Sequence, residues 1–210
     1  MPRGLRPDPG PPLGADFYDR PVTEVAPELL NKLLVVATGE FPTLAGRIVE
    51  VEAYGGEEDP ASHAHRGPTR RNLSMFGPPG TLYVYFTYGM HWCANAVCGP
   101  EGVGAAVLIR ALAPPGGFWG PAEEEVLGQR RPRASRSVDL TNGPAKLCQA
   151  FGIDAAGDGL DLTRSDSPVY IGADGTPPPV DPVVTTRVGI RAGTDLPWRW
   201  HVAADPHVSR

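Results

Sequence analysis

The sequence predicts an α+β fold: a single mixed domain around a curved, largely antiparallel sheet with a protruding β-hairpin. Three observations favour this class. Short β-rich runs bounded by Pro and Gly outnumber helical patterns. One of these runs, residues 81–97, has a Gly near its middle and is expected to fold back as a hairpin. The length of 210 residues fits one domain, and the chain has no internal repeat.

The first third of the chain predicts a tail, a helix and two strands. Residues 1–16 are rich in Pro and Gly, so we expect a flexible tail before a single domain at 17–210. The other elements expected here are a helix from Glu24 to about Leu33, capped by Thr23, and strands at 33–38 and 46–54.

The strand at 46–54 carries two carboxylates on one face. Alternation places together Val49, Val51 and Ala53, and on the other face Ile48, Glu50, Glu52 and Tyr54. If aromatic neighbours half-bury such a pair, the pKa of one carboxylate rises toward the working pH of a general base. An exposed, solvated strand face covered by Tyr54 is the competing interpretation, and spacing does not separate the two.

The remaining elements follow in order. Residues 55–80 form a polar Gly/Pro loop whose length suggests a function. After the hairpin, a strand at 105–112 is expected to be buried except for Arg110. The last expected elements are helices at 122–129 and 142–152 and strands at 168–171, 183–190 and 198–203.

The charge of the chain is unevenly distributed. Its net charge of −5 and pI near 5.5 argue at first against a nucleic-acid partner, because basic patches are the usual footprint of such proteins. Counted by segment, the net charge is −6 over 1–59, +4 over 60–150 and −3 over 151–210. The middle segment holds both the long loop and the hairpin. A small basic face for DNA therefore remains compatible with the acidic total.

Cysteine use and hydropathy indicate a cytoplasmic protein. Three cysteines in a chain of this length are not a disulfide framework, which fits a reducing compartment. No apolar run approaches the roughly 18–20 residues of a membrane span. The N-terminal residues lack the apolar stretch of a signal peptide. We expect no membrane contact and, since no oligomerisation signal is visible, a monomer.

No cofactor or metal site is expected. His63 and His65 could be two metal ligands, but no third ligand stands at a recognisable spacing, and zinc-deaminase and H-E-x-x-H patterns are absent. Cys93 and Cys98 are better explained as small core residues. The run GPEGVG at 99–104 lacks the spacing and the lysine of a phosphate loop, and there is no G-x-S-x-G elbow.

The hairpin is the strongest signal for function. It concentrates six rings in ten residues: Tyr83, Tyr85, Phe86, Tyr88, His91 and Trp92. Such aromatics commonly form cross-strand packing, but here both faces of the first arm are aromatic, so one face is available for something besides the core. Arg66, Arg70 and Arg71 precede the hairpin, and a basic loop beside aromatic rings suits phosphates and stacked bases. A tip with Tyr88 and Met90 would suit a wedge into a base step.

These residues make the chain similar to a known family. The matching runs are Glu50–His63, Arg71–Asn95, Leu108–Pro114, Gly143–Ile153 and Thr186–Arg191. In this order they closely resemble the alkyladenine (3-methyladenine) DNA glycosylase family, from about Asp16 onward. The resemblance implies a monofunctional, metal-free enzyme that acts on double-stranded DNA containing damaged purines: 3-methyladenine, 7-methylguanine, and in some members hypoxanthine or ethenoadenine.

The resemblance also implies roles for individual residues. By similarity, Glu52 activates the water that attacks C1′ of a flipped nucleotide, and Arg110 with the backbone at Val188 positions that water. Tyr54, His63 and Tyr85 match the residues that hold the flipped base, and Asn95 matches the position that rejects guanine. Tyr88 matches the intercalating side chain, supported by Met90. We expect DNA backbone contacts from Arg66, Arg70, Arg71 and Lys146. The pair His91-Trp92 departs from many members and bears on lesion preference.

Two alternatives remain open. A bifunctional glycosylase/lyase needs an amine nucleophile, and Lys32 and Lys146 are the only lysines, both on expected helices. A non-catalytic nucleic-acid-binding module could use the same aromatic hairpin and basic loop. An assay of base release distinguishes such a binding module from an enzyme.

Overall fold

The computed structural model describes residues 8–37, 39 and 42–209. Its helices are α1 (Ala15–Tyr18), α2 (Val22–Leu29), α3 (Pro121–Arg130) and α4 (Pro144–Phe151). Its strands are β1 (Leu33–Val36), β2 (Leu44–Gly55), β3 (Leu82–Thr87), β4 (His91–Cys98), β5 (Ala105–Ala113), β6 (Val169–Gly172), β7 (Val183–Thr185) and β8 (Arg199–His201). Short 3₁₀ turns include Gly56–Glu58 and Leu73–Phe76.

One antiparallel sheet organises the molecule. Its strands run in the order β3-β4-β5-β2-β1-β6, and β8 pairs with both β2 and β7. Every one of these pairings is antiparallel. The helices α2 and α4 pack against the central strands and bury the main apolar core between themselves and the sheet. The predicted α+β class with a largely antiparallel sheet and a β3–β4 hairpin is confirmed.

The helix ends follow local chemistry. In α2, the buried residues Val22, Val25, Ala26 and Leu29 recur at helical spacing. The helix stops four residues earlier than predicted because Leu30 is extended and Asn31 adopts a left-handed φ of 67°. Pro21, not Thr23, stands at its cap. Helix α4 begins at Pro144 and ends at Phe151, and the next residue, Gly152, has a φ of 72° that suits a residue without a Cβ.

The segment before α1 lies along the edge strand β6. The amide of Leu13 donates to the carbonyl of Ile171 at 2.9 Å, and Pro12 pairs with Gly172. A Cβ on Gly172 would stand 2.2 Å from the carbonyl oxygen of Pro9, so this close approach requires glycine. Part of the predicted tail thus contacts the sheet, while residues 1–7 lie outside the described residues. A domain boundary at residue 17 stays a prediction.

A double bulge between β2 and β5 corrects the predicted strand faces. Ile48 pairs with Leu112 and Glu50 pairs with Ala111, so Val49 between them has no partner on β5. Val51 then pairs with Ile109, so Arg110 has no partner on β2. Ile48 therefore joins the main core, whereas Val49 packs with Ala111 and Ala113 in a separate small cluster. Ile48 and Val49 therefore lie on the opposite faces from those predicted, because the bulge inserts one extra residue into the alternation of β2.

Candidate active site

A cavity of about 480 Å³ opens on the face of the sheet that carries the loop after β2. Strands β2 to β5 supply part of its wall, the 60–63 loop and the 188–192 loop supply more, and Pro144 of α4 completes it. The cavity brings together seven of the predicted site residues: Tyr54, His63, Tyr85, Tyr88, Asn95, Arg110 and Val188. Residues far apart in sequence thus share one concave surface, as in most ligand sites.

Glu52 lies fully buried directly beneath this cavity. Its Oε1 accepts a hydrogen bond from the amide of Val188 at 2.7 Å. Its Oε2 accepts one from the hydroxyl of Tyr54 at 2.9 Å and lies 3.1 Å from Nη1 of Arg110. All three partners line the cavity, so the carboxylate contacts the groups that form its floor.

Glu50 is equally buried but has a different set of partners. Its Oε1 accepts from Nε of Arg110 at 2.8 Å, from Nε of Arg199 at 2.7 Å and from Oγ of Ser209 at 2.8 Å. Its Oε2 accepts from the amide of Ser209 at 2.6 Å. Burial raises the pKa of Glu50, but the charge of Arg110 and the bonds from Ser209 and Arg199 outweigh it, so the pKa lies below its usual value.

Two expectations about this strand pair were wrong. The exposed, solvated face considered for Glu50 and Glu52 does not exist, because both carboxylates have no solvent exposure. Arg110, predicted to be the exposed position of its strand, is only 6% exposed. The carboxylates of β2 supply the counter-charge that allows a guanidinium to be buried there.

Aromatic rings form the wall above Glu52. The rings of His63 and Tyr85 meet edge to face with centroids 4.4 Å apart, and Tyr83 stacks beside Tyr85 at 5.5 Å. Nδ1 of His63 is hydrogen-bonded to the Tyr83 hydroxyl at 2.9 Å. Burial, and then the positive charge of Arg71, lower the pKa of His63, which favours a neutral ring at neutral pH.

A buried asparagine fixes the loop that presents His63. Asn72 donates to the carbonyls of His63 at 2.8 Å and Gly67 at 3.2 Å, and its Oδ1 accepts from the amide of Thr69. Asn95, also buried, donates to the carbonyl of Tyr83 at 3.0 Å. Each side-chain amide thus fixes the backbone of a residue whose ring lines the cavity, His63 or Tyr83, so the aromatic wall is held in place.

Sequence reasoning missed a buried ion pair behind Tyr54. Asp59 and Arg187 have fully buried side chains and form two hydrogen bonds, of 2.5 and 2.8 Å. The guanidinium also lies over the rings of Tyr54 and Trp198, at 4.8 and 5.3 Å from their centroids. Since Arg187 precedes Val188, the ion pair fixes the backbone that donates to Glu52. The two partners are 128 positions apart in the sequence, so no local pattern indicates their pairing.

The hairpin tip is exposed at the mouth of the cavity. Tyr88 is 83% exposed and also lines the cavity, whereas Met90 is 69% exposed and does not. Tyr88 has a φ of 51°, a left-handed conformation that costs a side-chain-bearing residue about 1–2 kcal/mol. Gly89 follows at 67°, which completes the tight turn. Strain of this kind clusters at functional sites.

The four predicted cations do not line the cavity, although the charge of Arg71 acts on His63 and Tyr83 in its wall. Arg66, Arg70 and Arg71 are exposed on the loop after β2, and Lys146 on α4 donates to Asn142 at 2.7 Å. The prediction did not include Arg191, an exposed arginine that does line the cavity. Its neighbours in the run Thr186–Arg191 were the signal that could have identified it.

Within residues 8–37, 39 and 42–209, no three His, Cys, Asp or Glu side chains come together as a metal site would require. Among the helices of those same residues, none combines the length and the apolar character needed to cross a bilayer.

Comparison with known proteins gives a consistent result. The family model for methylpurine-DNA glycosylase matches residues 16–206. A protein of Burkholderia lata is 55% identical over 201 residues, covering 96% of this chain and 92% of the relative. One of Burkholderia cenocepacia is 53% identical, covering 97% and 93%, and one of Streptomyces avermitilis is 45% identical, covering 94% and 91%. All three carry the provisional name 3-methyladenine DNA glycosylase. The chain therefore belongs to the methylpurine-DNA glycosylase family and is a DNA glycosylase of DNA repair.

Proposed function

We propose that this enzyme flips alkylated purines out of double-stranded DNA and hydrolyses their N-glycosidic bond with a water activated by Glu52. One observation carries the proposal: a single cavity joins a buried carboxylate at its floor, an aromatic wall and an exposed tyrosine at its mouth. The proposed substrates are 3-methyladenine and 7-methylguanine, with hypoxanthine and ethenoadenine as further candidates.

The floor of the cavity suits the hydrolytic step. A carboxylate offers about four lone-pair sites, and Oε1 of Glu52 accepts one bond, from Val188, so this oxygen keeps the capacity to accept a second bond, from the attacking water. Arg110, on the cavity side of Oε2, can hold that water in line with C1′. As the bond to the base breaks, positive charge develops on the sugar, and the buried anion stabilises it.

The aromatic wall suits the departing base. Alkylation at N3 or N7 makes a purine cationic, and electron-rich rings attract such a base by about 1–2 kcal/mol when water is excluded. Tyr54, Tyr85 and His63 line the space where it would stack. The lowered pKa of His63 keeps its ring neutral, so it does not repel a cation. Asn95 lies on the same wall and is our candidate for excluding the 2-amino group of guanine.

The surface around the cavity suits a DNA backbone. Arg66, Arg70 and Arg71 are exposed on one loop, and Lys146 stands at the start of α4, whose Pro144 lines the cavity. We propose that these cations bind phosphates on both sides of the flipped nucleotide. Acidic flanking segments would limit non-specific binding, which fits a monomer that meets DNA through one face in the cytoplasm.

We expect Tyr88→Ala to weaken binding to lesion DNA by about ten- to hundredfold. The ring would fill the gap left by the flipped base, and stacking on a base contributes about 1–3 kcal/mol. Because Tyr88 is exposed, the melting temperature should not change. Binding to a duplex with a single lesion is measured beside Val180→Ala, which truncates an apolar side chain that is 94% exposed away from the cavity. Equal affinity of Y88A and V180A would remove Tyr88 from the intercalating role.

The proposed activity is tested by base release from a panel of duplexes. We expect the enzyme to release 3-methyladenine and 7-methylguanine quickly, hypoxanthine more slowly because a neutral base must be protonated as it leaves, and normal guanine not at all. Binding to these duplexes without release of any base would favour the non-catalytic module. A covalent protein–DNA adduct trapped by borohydride would instead favour the lyase alternative, through Lys32 or Lys146.

A further inference from the structure

We infer that Glu50 is a positioning residue for the reaction: with Arg199 and Ser209 it holds the Arg110 guanidinium at the angle from which it reaches Glu52. This inference rests on the roles proposed above for Glu52 and Arg110. Glu50 does not line the cavity, so its effect on the reaction must pass through Arg110.

The Arg110 guanidinium is held through three of its nitrogens. Nε donates to Oε1 of Glu50 at 2.8 Å, and Nη2 donates to Oγ of Ser209 at 3.0 Å. Nη1 remains, and it lies 3.1 Å from Oε2 of Glu52. A planar guanidinium fixed at two nitrogens has little freedom to rotate, so Glu50 and Ser209 determine where the third one points.

The backbone supports the same geometry. In the β2–β5 pairing, Val49 of β2 and Arg110 of β5 have no partner, and these two unpaired residues flank the Glu50–Ala111 pair. Bulges of this kind redirect side chains next to active sites. Here the bulge brings the side chains of Glu50 and Arg110 together, although the two residues are 60 positions apart in the sequence.

The charges balance only when the whole group is present. Two buried carboxylates, Glu50 and Glu52, face two guanidiniums, those of Arg110 and Arg199. Arg199 comes from β8 and is itself held by Thr185 at 3.2 Å. Without the second arginine, Glu50 would leave a net negative charge in a buried site, which is costly. Arg199 thus helps Glu50 to stay ionised beside Arg110.

Other titratable groups around Arg110 leave this balance unchanged near neutral pH. The hydroxyl of Tyr54 on β2 and the thiol of Cys93 on β4 face it. Burial raises the pKa of both groups, so they stay uncharged. Arg110 therefore contacts both carboxylates of β2, and replacing Glu50 removes one of the contacts that orient the guanidinium toward Glu52.

The test is Glu50→Gln, with Asp174→Asn as its matched control. Asp174 forms another largely buried ion pair, with Arg47 at 2.6 Å, remote from the cavity. Single-turnover release of 7-methylguanine is measured from pH 4.5 to 9 together with binding to lesion DNA. We expect E50Q to reduce the plateau rate by about ten- to hundredfold, since misplacement of about 1 Å at a reacting group costs that much. Binding should change less than about twofold.

The pH profile separates positioning from a merely structural role. E50Q removes one negative charge from the buried group around Arg110, so the acid limb of the rate profile should move to lower pH. D174N should lose thermal stability with an unchanged rate and profile. If E50Q does not fold, Ser209→Ala carries the test: it removes one of the two holds on Arg110, and a fall in rate of threefold or more is expected.

The outcomes also separate this inference from the proposed function. An inactive Glu52→Gln enzyme beside an E50Q enzyme with wild-type rate and profile would overturn the positioning role alone. An active E52Q enzyme would overturn the proposed mechanism itself. If E50Q and D174N lower stability alike and neither changes the profile, Glu50 is structural and the inference is wrong.

Discussion

Replacing Glu52 with Gln is expected to abolish base release, by at least about a thousandfold, while binding to lesion DNA survives. General-base assistance contributes about 10²–10⁴ to a rate, and stabilisation of developing charge contributes on the same scale. Gln keeps the shape of the side chain and one oxygen that can accept from Val188, but it cannot take a proton from water. Binding depends on the aromatic wall, the tip and the surface cations, none of which changes.

The measurement is single-turnover release of 7-methylguanine, with binding measured on the same duplex. Glu101→Gln is the matched control, because Glu101 is an exposed glutamate on the turn between β4 and β5 and makes the same change in net charge. We expect E101Q to behave as wild type. Release by E52Q within tenfold of the wild-type rate would mean that another group activates the water.

The local elements were predictable because their signals are local. The β3–β4 hairpin follows from alternating aromatics around Gly89, and α4 follows from Pro144 and Gly152 at its ends. The predicted faces of β2 failed at Ile48 and Val49, since a bulge depends on the register of the partner strand. Nothing near residue 48 in the sequence reports that register.

Burial of charge was the part of the site that the sequence hid. Spacing placed Glu50 and Glu52 on one face correctly, but it could not show that Arg110 and Arg199, 60 and 149 residues from Glu50, neutralise them. Ser209 lies still further along the chain. From sequence alone, a pair of carboxylates is expected to be solvated, because its buried counter-charges are not visible. The different roles of Glu50 and Glu52 can therefore be distinguished only from the structure.

The largest stability effect is expected from Asp59→Asn, which should lower the free energy of unfolding by about 3–5 kcal/mol. Asp59 accepts four hydrogen bonds: two from Arg187 and one each from the amides of Gly55 and Ala61. Removing its charge leaves the Arg187 guanidinium buried against Tyr54 without a counter-ion. Urea unfolding at pH 7 measures the loss. Asp166→Asn is the control, because its pair with Arg164 is largely exposed and should contribute nothing measurable.

The pH dependence of stability tests the same ion pair independently. Burial raises the pKa of Asp59, but the bonds from Arg187, Ala61 and Gly55 outweigh it, so the folded pKa lies below the unfolded value of about 3.9. Such a group contributes its full stabilisation above the unfolded pKa and loses it as pH falls through the folded pKa. Wild type should therefore lose stability below about pH 4, and D59N should lose less over that range. Parallel curves for the two proteins would contradict this account.

The same substitution should also slow base release in the protein that remains folded. Arg187 is followed directly by Val188, whose amide donates to Glu52, and it also bonds the carbonyl of Ala53 in β2. A guanidinium freed from Asp59 loses its fixed position, and the Val188 amide moves with it. Replacing both charges, as in D59N/R187M, should recover part of the stability because no unpaired charge stays buried, but it should not recover the rate. Recovery of both together would show that the ion pair stabilises the fold without placing Val188.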